Sequence, residues 1–215
     1  MVNKKNRNNE ENEEKSGLKQ KYSLSERILK LLIENKRAWT ILEISHELKS
    51  DYKNTFQAVG KLYPDLISKD KKGSLNLIEI KISSNISIHE VEKKRTQEFL
   101  SNNSKIKLIG EDIERINYPF FIVLVFGSIV KGKATDKSDI DVCVISDNPE
   151  KIKEALSNMR LLPQKIEIQQ FTTDEFKSML NKKENNLAKE IVKSNIILYG
   201  IENYYNLVSK WMKKD

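Results

Sequence analysis

The feature that most constrains the fold of this chain is a pair of apolar segments separated by a polar one, between residues 120 and 146. Residues 120–126 form an unbroken apolar run of strand length, and residues 139–146 carry isoleucine or valine at every second position from Ile140 to Val144. Alternation is typical of a strand, and a short continuous apolar run is typical of a strand buried on both faces. The sequence therefore predicts two strands of a buried sheet joined by a polar loop.

Polar groups suited to phosphate chemistry flank this loop. Asp139 and Asp141 stand two positions apart, so they should share one strand face, where two carboxylates can bind a hard cation such as Mg²⁺. Glu167, on a predicted strand at 165–171, would supply a third carboxylate for a two-metal site. Gly127 allows a close backbone approach, a short turn or helix is expected to follow, and Ser128 would stand where a helix N-terminus presents free N–H groups to phosphate. The pattern indicates phosphate transfer.

The order of these residues resembles the signature of a known superfamily. Gly127-Ser128, ten further residues, then Asp139-Ile140-Asp141 is similar to the DNA polymerase β-like nucleotidyltransferases, in their minimal, kanamycin-nucleotidyltransferase-like branch. The resemblance covers about residues 118–200. It implies transfer of a nucleoside monophosphate from an NTP, with ATP the expected donor, to an acceptor, with release of pyrophosphate and with two Mg²⁺ or Mn²⁺ ions.

The resemblance also implies a role for each site residue. Asp139 and Asp141 would bind both metal ions, and Glu167 would bind the catalytic metal and orient or deprotonate the acceptor hydroxyl. The triphosphate would be held by Gly127, Ser128, Lys131 and Lys133. Two departures stand out, since Lys131 replaces a frequent arginine and Glu167 a frequent aspartate.

The N-terminal region predicts three short helices followed by a hairpin. Ser23 is expected to cap the first helix, Thr40 the second, and Ser50 or Asp51 the third. In the third helix, Phe56, Val59 and Leu62 are expected to form the apolar side. The order of these elements over residues 21–83 resembles a winged helix-turn-helix domain.

This second resemblance implies binding of duplex DNA, with the third helix in the major groove and the hairpin along the backbone. A winged helix used for dimerisation or protein contact is the alternative. The expected DNA-binding residues are Lys53, Asn54, Gln57, Lys61, Lys71 and Lys72.

The rest of the chain completes an α+β organisation. We expect a disordered tail at residues 1–20, a helical connector at 84–117 and the nucleotidyltransferase domain at 118–215, with a small mixed sheet flanked by helices. Helices are predicted at 90–102 and 107–116, with Thr173 capping another, and helices at 184–193 and 202–213 flank a strand at 196–199.

Composition excludes several classes of protein. No run approaches the roughly 20 apolar residues of a membrane helix, and Cys143 is the only cysteine, so a cytoplasmic protein without membrane contact or disulfide is expected. The net charge of +7 permits a polyanionic partner. The buried position expected for Cys143 favours a structural thiol over a nucleophile.

Three functions stay open from the sequence. The first is an active nucleotidyltransferase with an unidentified acceptor. The second is a DNA-binding transcription regulator whose nucleotidyltransferase domain only senses nucleotide. The third is an antitoxin-like modifier of a partner protein, by similarity to small nucleotidyltransferase antitoxins. The presence of both Asp139 and Asp141 favours an active site.

Overall fold

The computed structural model of this chain describes residues 22–116, 118–135, 138–160 and 165–212, and the predicted tail at 1–20 lies outside them. The described residues have the predicted α+β class, with a small mixed sheet flanked by helices. None of the helices in these ranges is both long and apolar enough to cross a membrane.

The N-terminal half consists of three helices and a β-hairpin. Their bounds are α1 Leu24–Glu34, α2 Ile41–Glu47, α3 Tyr52–Leu62, β1 Ile67–Lys72 and β2 Leu75–Ile80. The strands are antiparallel and joined by a two-residue turn at Gly73-Ser74. Trp39, between α1 and α2, pairs with Ile78 of β2 as an additional antiparallel bridge. The hairpin is therefore tied to the helices by backbone hydrogen bonds as well as by the core.

The predicted helix starts in this half are confirmed. Ser23 and Thr40 cap α1 and α2, each in a reciprocal capping box with the glutamate three residues later. Asp51, rather than Ser50, caps α3. The prediction for Phe56 is wrong, because its side chain is 55% exposed. The buried face of α3 is displaced by one position around the helix and is formed by Thr55, Ala58, Val59 and Leu62.

The C-terminal half surrounds a four-stranded sheet. Its elements are α4 Ile86–Asn102, α5 Ser104–Glu114, β3 Phe121–Phe126, β4 Ile140–Ser146, α6 Pro149–Arg160, β5 Ile166–Phe171, α7 Thr173–Asn181, α8 Leu187–Lys193, β6 Asn195–Tyr199 and α9 Ile201–Met212. The strand order is β5-β4-β3-β6, with β4 and β5 parallel and the other pairs antiparallel.

Helices cover both faces of this sheet, which explains why the strands are so apolar. One face, with Val123 and Val142, packs against α5 and α6. The other face, with Leu124 and Cys143, packs against α7, α8 and α9, and its core continues into the N-terminal half. Burial raises the pKa of the Cys143 thiol well above its usual range, so this thiol is a packed core group, as predicted.

Three helices begin at residues other than those predicted, because each is capped by a polar residue that the sequence prediction did not take as a cap. Asn85 caps α4, so this helix starts at Ile86, before residue 90. Thr172, rather than Thr173, caps α7 in a capping box with Glu175. Asn186 caps α8, which is shorter than the predicted helix at 184–193.

Helix α4 joins the two halves through a buried charged cluster. Arg95 forms ion pairs with Glu92 and, at 3.2 Å, with Glu34 of α1. It also donates a hydrogen bond to the backbone carbonyl of Asn195 in edge strand β6, at 3.1 Å. Glu92 accepts a second bond from the Tyr205 hydroxyl of α9, at 2.7 Å. Elements from both halves therefore share one buried ion pair.

Candidate active site

The end of β3 and the start of β4 meet in a close contact that needs glycine. Phe126 pairs with Asp141 in the antiparallel register, so the next residue, Gly127, lies against the Asp141 side chain. A Cβ atom on Gly127 would stand 1.9 Å from Asp141 Oδ2. Gly127 also has a φ of +76°, in the left-handed region that favours glycine. Both the space and the backbone angle therefore require glycine.

The residues after Gly127 form consecutive turns, the first of the two predicted possibilities, and not a helix. Lys131 and Lys133 donate backbone hydrogen bonds to the carbonyls of Gly127 and Ser128, at 3.3 and 2.9 Å. Gly132 has a φ of +65°, which a continuing α-helix would not tolerate. The backbone N–H of Ser128 is directed at the Asp141 carboxylate. The backbone N–H groups of this segment therefore belong to turns, and those of Lys131, Gly132 and Lys133 are already bonded within it.

Asp139 lies one residue before β4 and is engaged by a lysine that the sequence analysis missed. Lys165 Nζ forms an ion pair with the Asp139 carboxylate at 2.5 Å. The backbone carbonyl of Lys165 also accepts a hydrogen bond from Ile140, at 3.0 Å, because β5 runs parallel to β4. The only signal in the sequence was the position of Lys165 two residues before Glu167, at the start of the predicted strand.

Glu167 stands beside Asp141 on the adjacent strand. The two residues are register partners in the parallel β4–β5 pair, so their side chains share a sheet face. Gln169, two residues further along β5, donates a hydrogen bond to Glu167 at 2.9 Å. Glu167 itself is exposed, which leaves its other oxygen open to a ligand.

The grouping of carboxylates changes the acidity of Asp141. Burial raises its pKa, and the negative charges of Glu167 and Asp139 raise it further. The Ser128 N–H and the Lys131 ammonium act in the opposite direction. Each effect requires proximity, so the three acidic residues named by the sequence pattern lie within electrostatic reach of one another.

A cavity of about 190 Å³ lies at this corner, between the sheet and α8. Glu190 of α8 pairs with Lys131 across it, at 3.5 Å. Lys133 is exposed and does not line it. The lining residues are Phe126, Gly127, Lys131, Asp141, Glu167, Gln169, Leu187 and Glu190. Two of the four predicted phosphate contacts, Gly127 and Lys131, therefore face the cavity together with two of the three carboxylates.

The carboxylate oxygens at this corner are ligands that suit Mg²⁺. Among the described residues, however, no group of three or more His, Cys, Asp or Glu side chains is arranged to hold a metal ion by itself. Mg²⁺ binds through one or two carboxylates together with phosphate oxygens, and Asp141 and Glu167 offer two carboxylates on one face. Asp139 is occupied by Lys165. A cation would relieve the repulsion that raises the pKa of Asp141.

The residues predicted to bind DNA lie in the N-terminal half, on two elements. Lys53, Asn54, Gln57 and Lys61 are exposed along α3, and Lys71 and Lys72 are exposed at the end of β1 next to the hairpin turn. Their neighbours Tyr52 and Phe56 are also exposed, at 51% and 55%. Helix α3 therefore presents an outer face with polar, basic and aromatic side chains.

Comparison with known proteins agrees with this site. Residues 105–204 match the family model described as "Polymerase beta, Nucleotidyltransferase". The matched segment contains all four strands of the sheet and the corner formed by Gly127, Asp141 and Glu167. No curated protein matches the chain significantly. The family match supports the DNA polymerase β-like superfamily for this segment, and nucleotidyltransferase activity in general.

We expect Glu167→Gln to lower the pKa of Asp141. Replacing the carboxylate removes a negative charge that disfavours ionisation of Asp141, while burial, the largest cause, persists. The titration midpoint of Asp141 should therefore fall. Carboxyl ¹³C NMR of Asp141 in metal-free buffer measures it, with Glu150→Gln on α6 as the control. A midpoint that stays the same or rises would mean that the charge of Glu167 does not act on Asp141.

Proposed function

We propose that this protein is an Mg²⁺-dependent nucleotidyltransferase that transfers a nucleoside monophosphate from an NTP, with ATP the expected donor, to a hydroxyl acceptor. The observation that carries the proposal is the pairing of Asp141 with Glu167 in one register, beside the Gly127 corner. The family match supports the reaction class. The apolar core on both sides of the sheet holds β4 and β5 in this register, so the two carboxylates are positioned before substrate arrives.

The loop after β3 would bind the triphosphate. Gly127 would let the phosphate approach the backbone closely, and the Ser128 N–H, which is directed at the Asp141 carboxylate, would lie beside it. Lys131 lines the cavity and forms an ion pair with Glu190. Once released from Glu190, its ammonium group would neutralise charge on the phosphates. Lys133, which is exposed beyond the cavity, would contribute only long-range attraction.

The acidic residues would hold the metal and the acceptor. Asp139, Asp141 and Glu167 would bind the metal ions. A bound Mg²⁺ would neutralise charge on the phosphates and make the attacking hydroxyl a stronger nucleophile. Lys165 would have to release Asp139 for this set to assemble, because it holds that carboxylate at 2.5 Å. Glu167 would take the proton of the acceptor hydroxyl, a role that its exposure and its hydrogen bond from Gln169 support.

Radiolabelled ATP tests this proposal directly. With Mg²⁺ and cell extract, the parent protein should release pyrophosphate and transfer label to an acceptor. Glu167→Gln should bind Mg-ATP within a few-fold of the parent, but transfer should fall by about 10²-fold or more, the loss expected for a positioned general base. Asp141→Asn should weaken Mg-ATP binding itself. Calorimetry and thin-layer chromatography provide the two measurements.

Several outcomes would decide between this proposal and its alternatives. Glu150→Gln, on the distant helix α6, is the charge-matched control and should behave as the parent. Transfer by Glu167→Gln at the parent rate would remove Glu167 from the reaction. Binding of ATP without pyrophosphate release in any extract would favour a nucleotide sensor. Label on one partner protein would favour the antitoxin-like function.

For the N-terminal half, residues 21–83, we propose a winged helix-turn-helix that binds duplex DNA. The order of three helices and a hairpin supports it, together with the isolated Trp39–Ile78 bridge that ties the segment before α2 to the hairpin. The exposed basic face of α3 would lie in the major groove. Residues 84–117 would then connect this half to the nucleotidyltransferase domain, and a cytoplasmic location suits both activities.

We expect the double variant Lys53→Ala/Lys61→Ala to weaken binding of duplex DNA. Removal of each lysine–phosphate interaction should lower the slope of log affinity against log salt by about 0.9. Fluorescence anisotropy at several salt concentrations measures both quantities. Lys153→Ala, which removes an exposed lysine of α6, is the control. Equal binding by parent and double variant would favour a protein-contact role for α3.

A further inference from the structure

A cavity of about 600 Å³ lies at the opposite end of the sheet from the Gly127 corner. It is lined by residues from the start of β3, the end of β4, α7 and α9. Phe121 pairs with Ser146 at this end of the strands, whereas Phe126 pairs with Asp141 at the corner. Five residue steps along a strand span roughly 17 Å, so the two sites are separate.

The size and the apolar lining of this cavity suit a small molecule. Sites for small-molecule ligands occupy roughly 300–1,000 Å³ and combine mostly apolar walls with a few polar groups. The apolar lining here includes Ile122, Ile145 and Leu180, which are at most 3% exposed. These side chains belong to the core that joins the sheet to α7 and α9, so the wall of the cavity is part of the packed fold.

Two aromatic side chains add flat surface to the lining. Phe120, which directly precedes β3, lines the cavity and is nevertheless 69% exposed. Trp211, near the end of α9, also lines it and is only partly buried. The Phe120 ring meets the Tyr118 ring edge-on, with centroids 5.8 Å apart, which limits its freedom. A ligand with an aromatic body would cover both exposed rings and gain stacking contacts.

The charged groups around the cavity favour an anion. The basic ones are Lys177 of α7 and Lys210 of α9, and among the described lining residues Asp147 is the only carboxylate. Asp147 accepts hydrogen bonds from the backbone N–H of Thr173, at 2.8 Å, and from its hydroxyl, at 2.7 Å. These bonds hold the pKa of the Asp147 carboxyl below its usual range. The start of α7 therefore already stabilises this negative charge, and the two lysines outnumber it.

Both ammonium groups are available to a ligand. Lys177 pairs with Asp174 at 3.3 Å, but both side chains are well exposed, so this ion pair is weak. Within the part of the chain that the structure describes, no ion pair engages Lys210. An acidic group at the mouth of the cavity can accept charge-assisted hydrogen bonds from either lysine.

We propose that this cavity binds a small aromatic acid, a molecule with a flat apolar body and one acidic group. The body would lie against Phe120 and Trp211, and the acidic group would be directed at Lys177 and Lys210. A neutral ligand would leave both ammonium groups unused. The described residues that line this cavity and those that line the Gly127 corner do not overlap, so the proposal does not depend on nucleotidyl transfer.

Two fluorescent dyes that differ only in charge test the proposal on the full-length chain. The first is 8-anilinonaphthalene-1-sulfonate, whose sulfonate represents the acidic group. The second is N-phenyl-1-naphthylamine, which has the same rings without the sulfonate. We expect saturable binding of the sulfonate dye, with energy transfer from Trp211 to the bound dye, because this tryptophan lines the cavity. Mg-ATP should not displace the dye.

Two variants separate the flat surface from the charge. Phe120→Ser removes an aromatic contact, so it should weaken binding of both dyes by about tenfold. Lys177→Gln/Lys210→Gln removes the two ammonium groups, so it should weaken the sulfonate dye by about fivefold and leave the uncharged dye within about twofold of the parent. All three side chains are exposed, so both variants should melt near the temperature of the parent.

Matched controls come from elsewhere in the chain. Phe56→Ser removes another exposed phenylalanine, on α3, where the ring is 55% exposed. Lys153→Gln removes an exposed lysine of α6, which packs on the other face of the sheet. Both controls should bind the two dyes as the parent does.

Four results would overturn the proposal. The first is unchanged or absent binding of the sulfonate dye when the parent is compared with Phe120→Ser. The second is an equal response of the two dyes to the lysine variant, which would remove the role of the acidic group. The third is displacement by Mg-ATP, which would place the dye at the nucleotide corner. The fourth is a dimeric parent that becomes monomeric in Phe120→Ser on sedimentation, which would assign this face to a second copy of the chain.

Discussion

The buried ion pair of Arg95 and Glu92 is the interaction on which the arrangement of the two halves depends. Both side chains are almost fully buried, at 5% and 1% exposure, so neither charge can be left without its partner. Removing one member of such a pair typically costs about 3–5 kcal/mol. Because Arg95 also contacts Glu34 and the carbonyl of Asn195, this cluster fixes α1 against the edge strand β6.

The same cluster protects the sheet and shapes a cleft of about 830 Å³ that lies between residues 34–37 and residues 185–194. Edge strand β6 would otherwise expose carbonyl groups, and Arg95 and Thr96 of α4 donate hydrogen bonds to two of them. With α4 fixed there, residues 34–37 are held opposite α8. The space between residues 34–37 and α8 is therefore a consequence of how the two halves pack.

At the corner itself, packing and electrostatics oppose each other. The core holds β4 and β5 so that Asp141 and Glu167 stand side by side, and their repulsion helps to raise the pKa of Asp141. Lys165 compensates part of this charge through Asp139. Functional sites often bring carboxylates together at a cost in electrostatic repulsion. A bound cation would remove this repulsion by neutralising their charge.

Much of this corner could be predicted from the sequence, because strand periodicity is local information. Alternation predicted one shared face for Asp139 and Asp141, and the apolar runs indicated the buried strands, whereas the place of Glu167 beside Asp141 depends on the β4–β5 register. The pairing of Lys165 with Asp139 could not be predicted, since Asp139 lies just outside the strand and its partner depends on the β4–β5 register. Likewise, no local sequence pattern predicts that residues 34–37 lie opposite residues 185–194.

Two local details were decided by backbone angle and packing: the turn at Ser128, which the sequence left open against a helix, and the exposure of Phe56, which was predicted wrongly. In the first case, left-handed backbone at Gly127 and Gly132 selects turns over a helix. In the second, the small residues Thr55 and Ala58 pack inward while the larger Phe56 stays outside. Periodicity identified the elements correctly, but the choice of face and the local backbone angle were decided by packing.

Binding of Mg-ATP to two glycine variants tests most directly whether this corner is the nucleotide site. A Cβ on Gly127 would collide with the Asp141 carboxylate, whereas one on Gly132 would meet open space. Both glycines have positive φ, so both alanine variants carry a similar backbone strain of about 1–2 kcal/mol. Calorimetry should show binding reduced by about tenfold or more in Gly127→Ala, a loss of about 1.4 kcal/mol, and near the parent value in Gly132→Ala. Equal binding by the two variants would contradict the account.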